Sequence, residues 1–163
     1  MKNRLAIQIP LVALILLSIT SCSTNRMEDG KRVGYWIEKE NRDGVEYLSK
    51  GSYRQGEETK RWRHYEKGKL IKKERYNGTS CTVTFYDAQG KKNKKGKTKL
   101  DGLHWFYAGE WKTYDVNGKL SGIMIYDKGE LVRELDANRN EIPLTPLVYY
   151  TDLNPQTNTN NIK

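Results

Sequence analysis

A tyrosine followed within a few residues by a glycine recurs along this chain, and this recurrence constrains the fold more than any other feature. The pair closes short segments that read YRQG, YEKG, YNG, YDAQG, YDVNG and YDKG. The tyrosines at Tyr53, Tyr65, Tyr76 and Tyr86 are 12, 11 and 10 residues apart, which is the length of a strand of about six residues plus its turn. The spacing therefore predicts consecutive β-strands joined by tight turns.

The segments between these turns have the composition of half-buried strands. They alternate and are rich in Val, Ile, Thr, Tyr and Phe, as in TVTFY at 82–86 and KLSGIMIY at 119–126. Each turn offers a glycine that can adopt positive φ angles, as tight hairpins require. The predicted turns are Lys67-Gly68, Asn77-Gly78, Asn117-Gly118 and Lys128-Gly129. Consecutive strands joined in this way must be antiparallel.

The composition of residues 31–140 indicates a core of aromatic rings. These 110 residues include only 18 Leu, Ile, Val or Phe, a proportion typical of a disordered chain. They also include nine tyrosines and four tryptophans, and each large ring buries on the order of 150 to 250 Å². The rings assigned to the repeat are Trp36, Tyr53, Trp62, Tyr65, Tyr76, Tyr86, Trp111, Tyr114 and Tyr126.

Two copies of the repeat carry the same longer pattern. Trp62-x-x-Tyr65 and Trp111-x-x-Tyr114 each precede a Gly-Lys-Leu, and over residues 34–132 the chain resembles the MORN repeat in its bacterial variant. The resemblance implies an all-β fold, an elongated single-layer antiparallel sheet of repeated β-hairpins. It also implies a binding or scaffolding role. Similar proteins occur as antitoxin components of toxin-antitoxin systems, so an antitoxin or immunity role is the alternative.

The first residues are predicted to direct export. Two positive charges, Lys2 and Arg4, precede a mostly apolar run that is short for a membrane span and ends in ITSC. This ending resembles the lipobox of bacterial lipoproteins. The resemblance implies a signal peptide over residues 1–21, lipidation of Cys22 and anchoring to the membrane by acyl chains, palmitate among them. Because Ser23 follows the cysteine, the outer membrane of the cell envelope is the expected location.

The domain boundaries follow from these patterns. Residues 22–30 are predicted to be the lipidated cysteine and a disordered tether, and residues 31–140 the repeat domain. Residues 141–163, rich in proline, asparagine and threonine, are predicted to form a mostly disordered tail. Cleavage before Cys22 removes two positive charges from a formal net charge of +9, so the mature chain remains basic.

No constellation of residues indicates catalysis or metal binding. Neither His64 nor His104 lies in a metal-binding spacing, and both are expected to pack among tryptophans. The acidic residues are dispersed, and no nucleophile motif is present. Cys81 has no partner for a disulfide and is predicted to be a strand residue, with a reactive thiol as the alternative. The sequence therefore predicts a protein that is not an enzyme and needs no cofactor or metal.

One stretch, GKKNKKGKT at 90–98, concentrates positive charge. It is not a phosphate-binding P-loop, because five residues instead of four separate its glycines. It is predicted to be a loop inserted between two hairpins that attracts an anionic partner, such as lipid headgroups or an acidic protein. The alternative is a solvated loop that maintains solubility, and export makes nucleic acid an unexpected partner. The lysines concerned are Lys91, Lys92, Lys94, Lys95, Lys97 and Lys99.

Overall fold

All described strands form one antiparallel sheet, in which each strand pairs with those before and after it in the sequence. The computed structural model describes residues 23–144. The predicted all-β fold, a single open sheet built hairpin by hairpin, is confirmed. The strands are β1 Arg26–Glu28, β2 Lys31–Arg42, β3 Val45–Arg54, β4 Glu57–Glu66, β5 Lys69–Asn77, β6 Ser80–Tyr86, β7 Lys92–Asp101, β8 His104–Tyr114, β9 Leu120–Asp127, β10 Glu130–Asp136 and β11 Glu141–Ile142. Across residues 23–144 there is no helix of a length and hydropathy suited to crossing a membrane.

Several sequence predictions concern residues outside this range. The signal peptide, Cys22 and its lipidation, and the tail from residue 145 onward lie outside the described residues. Part of the predicted tether is ordered instead, because Arg26–Glu28 forms β1 and pairs with β2. Likewise Glu141–Ile142, assigned to the tail, pairs with β10 as β11. The sheet therefore extends beyond both ends of the predicted repeat domain.

Two kinds of turn join most of the strands. A third, at residues 78–79 and 102–103, has a positive φ angle only at its first residue, a glycine, and the predicted Asn77-Gly78 turn therefore lies one residue later, with Asn77 still in β5. At Lys67-Gly68 and Lys128-Gly129 both central residues have positive φ angles, which is the geometry of the type I′ hairpin turn. In the second kind an aspartate closes the turn with its side chain. Oδ1 of Asp87 accepts the N–H groups of Gln89 and Lys91, and Asp115 and Asp136 make the same pair of bonds. At the predicted Asn117-Gly118 turn it is therefore Asp115 that holds the loop.

The register separates the side chains of the sheet onto two different faces. One of them, called the aromatic face from here on, carries most of the rings. Trp62 and Trp111 are both 0% exposed on it. The rings pack edge to face or stacked, as in the pairs Trp36–Tyr53, Tyr53–Trp62 and Tyr107–Trp111, with centroids 5.6, 5.0 and 4.0 Å apart. This packing confirms that rings supply the core that aliphatic residues do not.

Each buried tryptophan covers a strand glycine. Gly51 of β3 faces three residues of β4 that end in Trp62, and Gly96 of β7 faces three residues of β8 that end in Trp111. A Cβ atom on Gly51 would lie 1.9 Å from Cδ2 of Trp62, and one on Gly96 would lie 2.1 Å from Cδ2 of Trp111. The indole N–H groups donate to the carbonyl groups of Ser52 and Lys97, respectively.

This arrangement, the tryptophan-on-glycine bulge, occurs twice with the same details. The first residue of the bulged segment has a positive φ angle in both copies, 59° at Lys60 and 65° at Gly109. Such a bulge bends and twists its strand. It also sets the indole flat against the neighbouring backbone, which only a glycine permits at that distance.

The lysine-rich stretch is not an inserted loop, and this prediction was wrong. Lys92 to Asp101 form strand β7, paired with β6 and β8 over most of its length. The longer interval from Tyr86 to Tyr114 therefore contains a whole additional strand. Pairing on both sides supplies the backbone hydrogen bonds that stabilise this strand, although lysine and glycine have low β-propensity.

Candidate functional site

The side of the sheet opposite the aromatic face is strongly basic over strands β4 to β8. We call this surface the cationic face. It is formed by Arg61, Arg63, Lys73, Arg75, Lys95, Lys97, Lys99 and Lys112, all exposed. The residues lie on one side because they alternate along their strands and pair in register across them.

Like charges lie directly opposite one another on this face. Arg63 pairs with Lys73, and Arg61 pairs with Arg75. Across the β7–β8 pair, Lys95 lies opposite Lys112. Directly opposed like charges destabilise a sheet. Repulsion between these cations therefore lowers the stability of the sheet. An anion bound between the strands would offset this repulsion.

These charges have no carboxylate partners within residues 23–144. The seven ion pairs of that range involve none of the eight basic side chains. Glu110 borders the face, but its carboxylate pairs with Arg139, which holds the pKa of Glu110 below its usual value. The positive potential of the face is thus left uncompensated by the described part of the protein.

Two neighbouring hollows indent the cationic face. The first has a volume of about 360 Å³ and is bordered by five basic residues, Arg61, Arg63, Lys73, Arg75 and Lys95. The second has a volume of about 510 Å³ and is bordered by Lys95, Lys97, Lys99 and Lys112. Each hollow adjoins one tryptophan-on-glycine bulge, and Thr82 of β6 and Lys95 of β7 line both hollows.

The six lysines predicted to act together are divided by the strand. Lys95, Lys97 and Lys99 belong to the cationic face. Lys92 turns toward Tyr114, with Nζ 3.6 Å from the ring centroid, and Lys91 donates to the carbonyl group of Val116. Three of the six, Lys95, Lys97 and Lys99, therefore border one hollow of this face, and Lys91, Lys92 and Lys94 do not.

Lys94 points to the aromatic face and lies among three rings. Its Nζ is 5.2 Å from the centroids of Tyr107 and Trp111 and 5.8 Å from that of Tyr126. Burial lowers the pKa of the Lys94 amino group. Contact with several ring faces stabilises a cation, so this lysine is part of the packing.

The repeat tyrosines alternate between the two faces. Tyr53, Tyr76 and Tyr126 contact other rings of the aromatic face. Tyr65 and Tyr86 lie on the opposite side, each beneath a lysine, with Lys50 and Lys73 Nζ 5.8 and 5.0 Å from the ring centroids. Both faces of the sheet therefore carry rings.

His64 lies in a polar cluster at the centre of the aromatic face, and its predicted packing against Trp62 is confirmed by stacking at 6.1 Å. Its Nδ1 is 2.8 Å from Ser49 Oγ and its Nε2 is 2.7 Å from Glu74 Oε2. Lys72 Nζ lies 3.0 Å from the other Glu74 oxygen. Sequence reasoning did not find this cluster, because its members come from three different strands.

The order Ser49, His64, Glu74 is that of a nucleophile, a base and an orienting carboxylate. Ser49 lies inside β3, paired with Glu38 of β2 and with His64 of β4. Neighbouring strands therefore engage the backbone N–H groups around Ser49, and no pair of them is left to stabilise an oxyanion. Within residues 23–144, no group of three His, Cys, Asp or Glu side chains has a metal-binding arrangement. The cluster fits a structural role in the sheet.

The carboxyl group of Glu74 makes the stability contributed by this cluster depend on pH. Burial acts to raise the pKa of its carboxyl group, but the hydrogen bonds and charges of His64 and Lys72 outweigh burial and hold the pKa below the ordinary value of 4.5. A lowered carboxyl pKa contributes stability that is present above about pH 4.5 and lost as the pH falls through the folded-state pKa.

We therefore expect the Glu74→Gln variant to have a lower free energy of unfolding than the wild type at pH 7, and the difference between the two to become small at pH 3. Urea unfolding at the two pH values measures the difference, with Glu130→Gln, at an exposed turn, as the control for a general effect of losing a carboxylate. A wild-type advantage of the same size at both pH values would contradict the assignment.

Cys81 is a buried strand residue, 1% exposed, and forms one cluster with Val83 and Trp111. Burial raises the pKa of its thiol to about 11, and the nearby carboxylate of Glu74 acts in the same direction. A thiol that stays protonated at neutral pH is a poor nucleophile. The predicted packing role fits these observations better than the reactive-thiol alternative does.

Comparison with known proteins adds little to this description. No protein-family model matches the chain, and no curated protein matches it. The chain is similar to the crystal structure of TarM, with 15% identity and a TM-score of 0.35, over 52% of this chain and 19% of that one. It is also similar to the crystal structure of the GtfA/B complex, with 10% identity and a TM-score of 0.30, over 69% of this chain and 21% of that one. At such TM-scores these similarities carry no argument about function.

Proposed function

We propose that the protein is a non-enzymatic bacterial lipoprotein whose sheet binds an anionic partner through the cationic face. The single observation that carries this proposal is the set of eight exposed basic side chains without carboxylate partners in the described residues. The lipobox-like ITSC sequence supports anchoring by Cys22 in the cell envelope, at the outer membrane. The resemblance to MORN repeats supports a binding or scaffolding role.

The partner is expected to be recognised by charge. Several cations on one surface raise the local concentration of an anionic ligand and speed its association. A lysine near a strongly anionic surface contributes at best about 1 kcal/mol. The three lysines of β7 that lie on this face would together change affinity by up to about a hundredfold. The antitoxin alternative would use the same face on an acidic protein, and no described contact favours it.

The test compares two triple variants of the full-length acylated protein in a neutral detergent. Lys95→Gln, Lys97→Gln and Lys99→Gln together should make the protein elute from phosphocellulose at a clearly lower salt concentration than the wild type. The matched control replaces three exposed turn lysines, Lys67, Lys119 and Lys128, and removes the same charge. It should elute close to the wild type. If the two variants elute at the same salt concentration and have unchanged circular dichroism, the interaction depends only on net charge. That result would contradict binding through the cationic face.

A further inference from the structure

We propose that the two hollows of the cationic face bind two phosphate groups of one linear polyanion at the same time. The ligand is then a polymer that carries phosphate groups at regular intervals. This inference rests on the proposed function, because it specifies the anionic partner of the same face.

Both hollows adjoin a tryptophan-on-glycine bulge, but the second lies over Gly96 itself, whereas the first lies on the side of β4 away from Gly51. Each lies beside a bulge in which three residues of one strand face a single glycine of the next, Gly51 or Gly96. Five basic residues border the first hollow and four border the second, with Lys95 common to both and one acidic residue at each, Glu74 and Glu110. Because the tryptophan of each bulge turns to the aromatic face, the basic side is left without a large side chain at that point. Two basic depressions therefore lie next to each other on the same face of the sheet.

The chemistry of each hollow suits phosphate. At least four cations border each depression, so a group with more than one negative charge and several acceptor oxygens satisfies them better than a single carboxylate does. Arginine forks in the first hollow match the geometry of phosphate oxygens. Threonine hydroxyl groups of β6 add uncharged donors along the path between the hollows.

One row of paired residues connects the hollows. Arg63 lies opposite Lys73, Lys73 opposite Thr84, Thr84 opposite Lys95, and Lys95 opposite Lys112. The midpoints of the β4–β5 and β7–β8 pairs are three strand spacings apart, or about 14 Å. A single phosphate group cannot contact both ends of this row, but a chain of phosphates can follow it.

A planar lipid surface fits this arrangement less well. The exposed cations stand around two depressions, so headgroups held in a plane would contact the ends of the side chains but not the floors of the depressions. A flexible chain can place one phosphate in each hollow, and its second contact then forms intramolecularly, which raises avidity by a factor of about 10² to 10⁴.

The experiment is calorimetric titration of the full-length acylated protein in neutral detergent with two probes, sodium tripolyphosphate and long-chain inorganic polyphosphate. We expect two tripolyphosphate ions to bind per protein with similar affinity. At equal phosphate concentration, we expect long-chain polyphosphate to bind at least about a hundredfold more tightly, because one chain occupies both hollows.

Variants of each hollow test the bridging. Arg63→Gln with Lys73→Gln alters only the first hollow, and Lys97→Gln with Lys112→Gln alters only the second. Each double variant should reduce the number of bound tripolyphosphate ions from two to one and remove most of the advantage of the long chain. The control Lys67→Gln with Lys128→Gln should change neither quantity.

Other results of these titrations distinguish a failure of this inference from a failure of the proposed function. A long chain that binds no more tightly than tripolyphosphate, or that keeps its advantage in both hollow variants, overturns the inference. Binding to phosphatidylglycerol vesicles without binding to polyphosphate also overturns it, and leaves the anionic-partner function standing. If no anionic probe binds in a salt-dependent manner, the proposed function itself fails.

Discussion

Replacing Gly96 with alanine is expected to destabilise the protein by at least about 3 kcal/mol, a large part of the 5 to 15 kcal/mol by which a domain of this kind is stable. The added Cβ atom would lie 2.1 to 2.5 Å from three atoms of the Trp111 indole. The ring is fully buried and cannot rotate away, so the ring or the β7 backbone must be displaced. Overpacking of this kind is costly, and here it also disrupts the core ring of the second repeat.

Urea unfolding of Gly96→Ala and Gly51→Ala measures this effect. Gly122→Ala is the matched control, since Gly122 is also a strand glycine without a positive φ angle, and its added Cβ would meet its nearest neighbours at 3.2 and 3.3 Å. We expect Gly51→Ala to behave as Gly96→Ala does, and Gly122→Ala to be much milder. Stabilities within about 1 kcal/mol for all three variants would contradict the close contact between ring and glycine.

Truncating either buried tryptophan is expected to cost about 3 to 5 kcal/mol, the usual range for a large aromatic residue in a core. Trp62→Ala and Trp111→Ala each remove a fully buried ring and its N–H bond to a carbonyl group. Trp105→Ala serves as the control, because Trp105 is 39% exposed. Its truncation should lower the free energy of unfolding markedly less. Denaturant unfolding gives the three values directly, and a Trp105→Ala loss as large as the other two would count against the assigned core.

The glycine and the tryptophan of one bulge should also be coupled. Once Trp111 is truncated, the alanine methyl group at position 96 no longer meets a ring. The double variant Gly96→Ala with Trp111→Ala should therefore be less destabilised than the sum of the single variants. Additive losses would indicate that the two residues act independently.

The sequence predicted the fold because its turn signals and the spacing of its tyrosines indicate the same succession of short strands and tight turns. Type I′ turns require residues that tolerate positive φ angles, and the chain places glycine at one after another of these positions. With hairpins fixed locally, an antiparallel meander in sequence order is the simplest result. The substitution of rings for aliphatic residues could be predicted from composition, because tyrosine and tryptophan bury enough surface to form a core.

The tryptophan-on-glycine bulges were not predicted, although a signal for them is present in the sequence. Gly51 and Gly96 stand inside strand-like segments, where a glycine indicates a bulge or a close approach of another group. Which group approaches depends on a pairing register that skips two residues on the neighbouring strand. That register results from the packing of the whole sheet and has no local sequence signature.

The lysine-rich strand was missed for a related reason. Segment 90–98 has no apolar residue and two glycines, so its local preference is for a loop. The strands β6 and β8 on either side pair with it and bury Gly96 and Thr98. Tertiary context thus overrides propensity. Once β7 is known to be a strand, alternation alone assigns Lys95, Lys97 and Lys99 to one face.

The division of the sheet into two faces connects stability with function. Rings and the His64 cluster hold the strands together on one side. The other side carries fewer packed rings, and basic residues occupy much of it at a cost in cross-strand repulsion. A surface that a protein maintains against its own stability is a strong candidate for ligand binding.

The central claim is that residues far apart in sequence share the cationic face through one specific register, and disulfide trapping tests it most directly. Arg63 and Lys73 lie opposite each other on that face, whereas Lys72 points to the aromatic face. Cysteines at 63 and 73 should therefore form a disulfide upon mild oxidation of the folded protein, and cysteines at 63 and 72 should not. A bridge between 63 and 72, with none between 63 and 73, would indicate a register shifted by one residue. In that register the basic residues would not share one face, and the account would be contradicted.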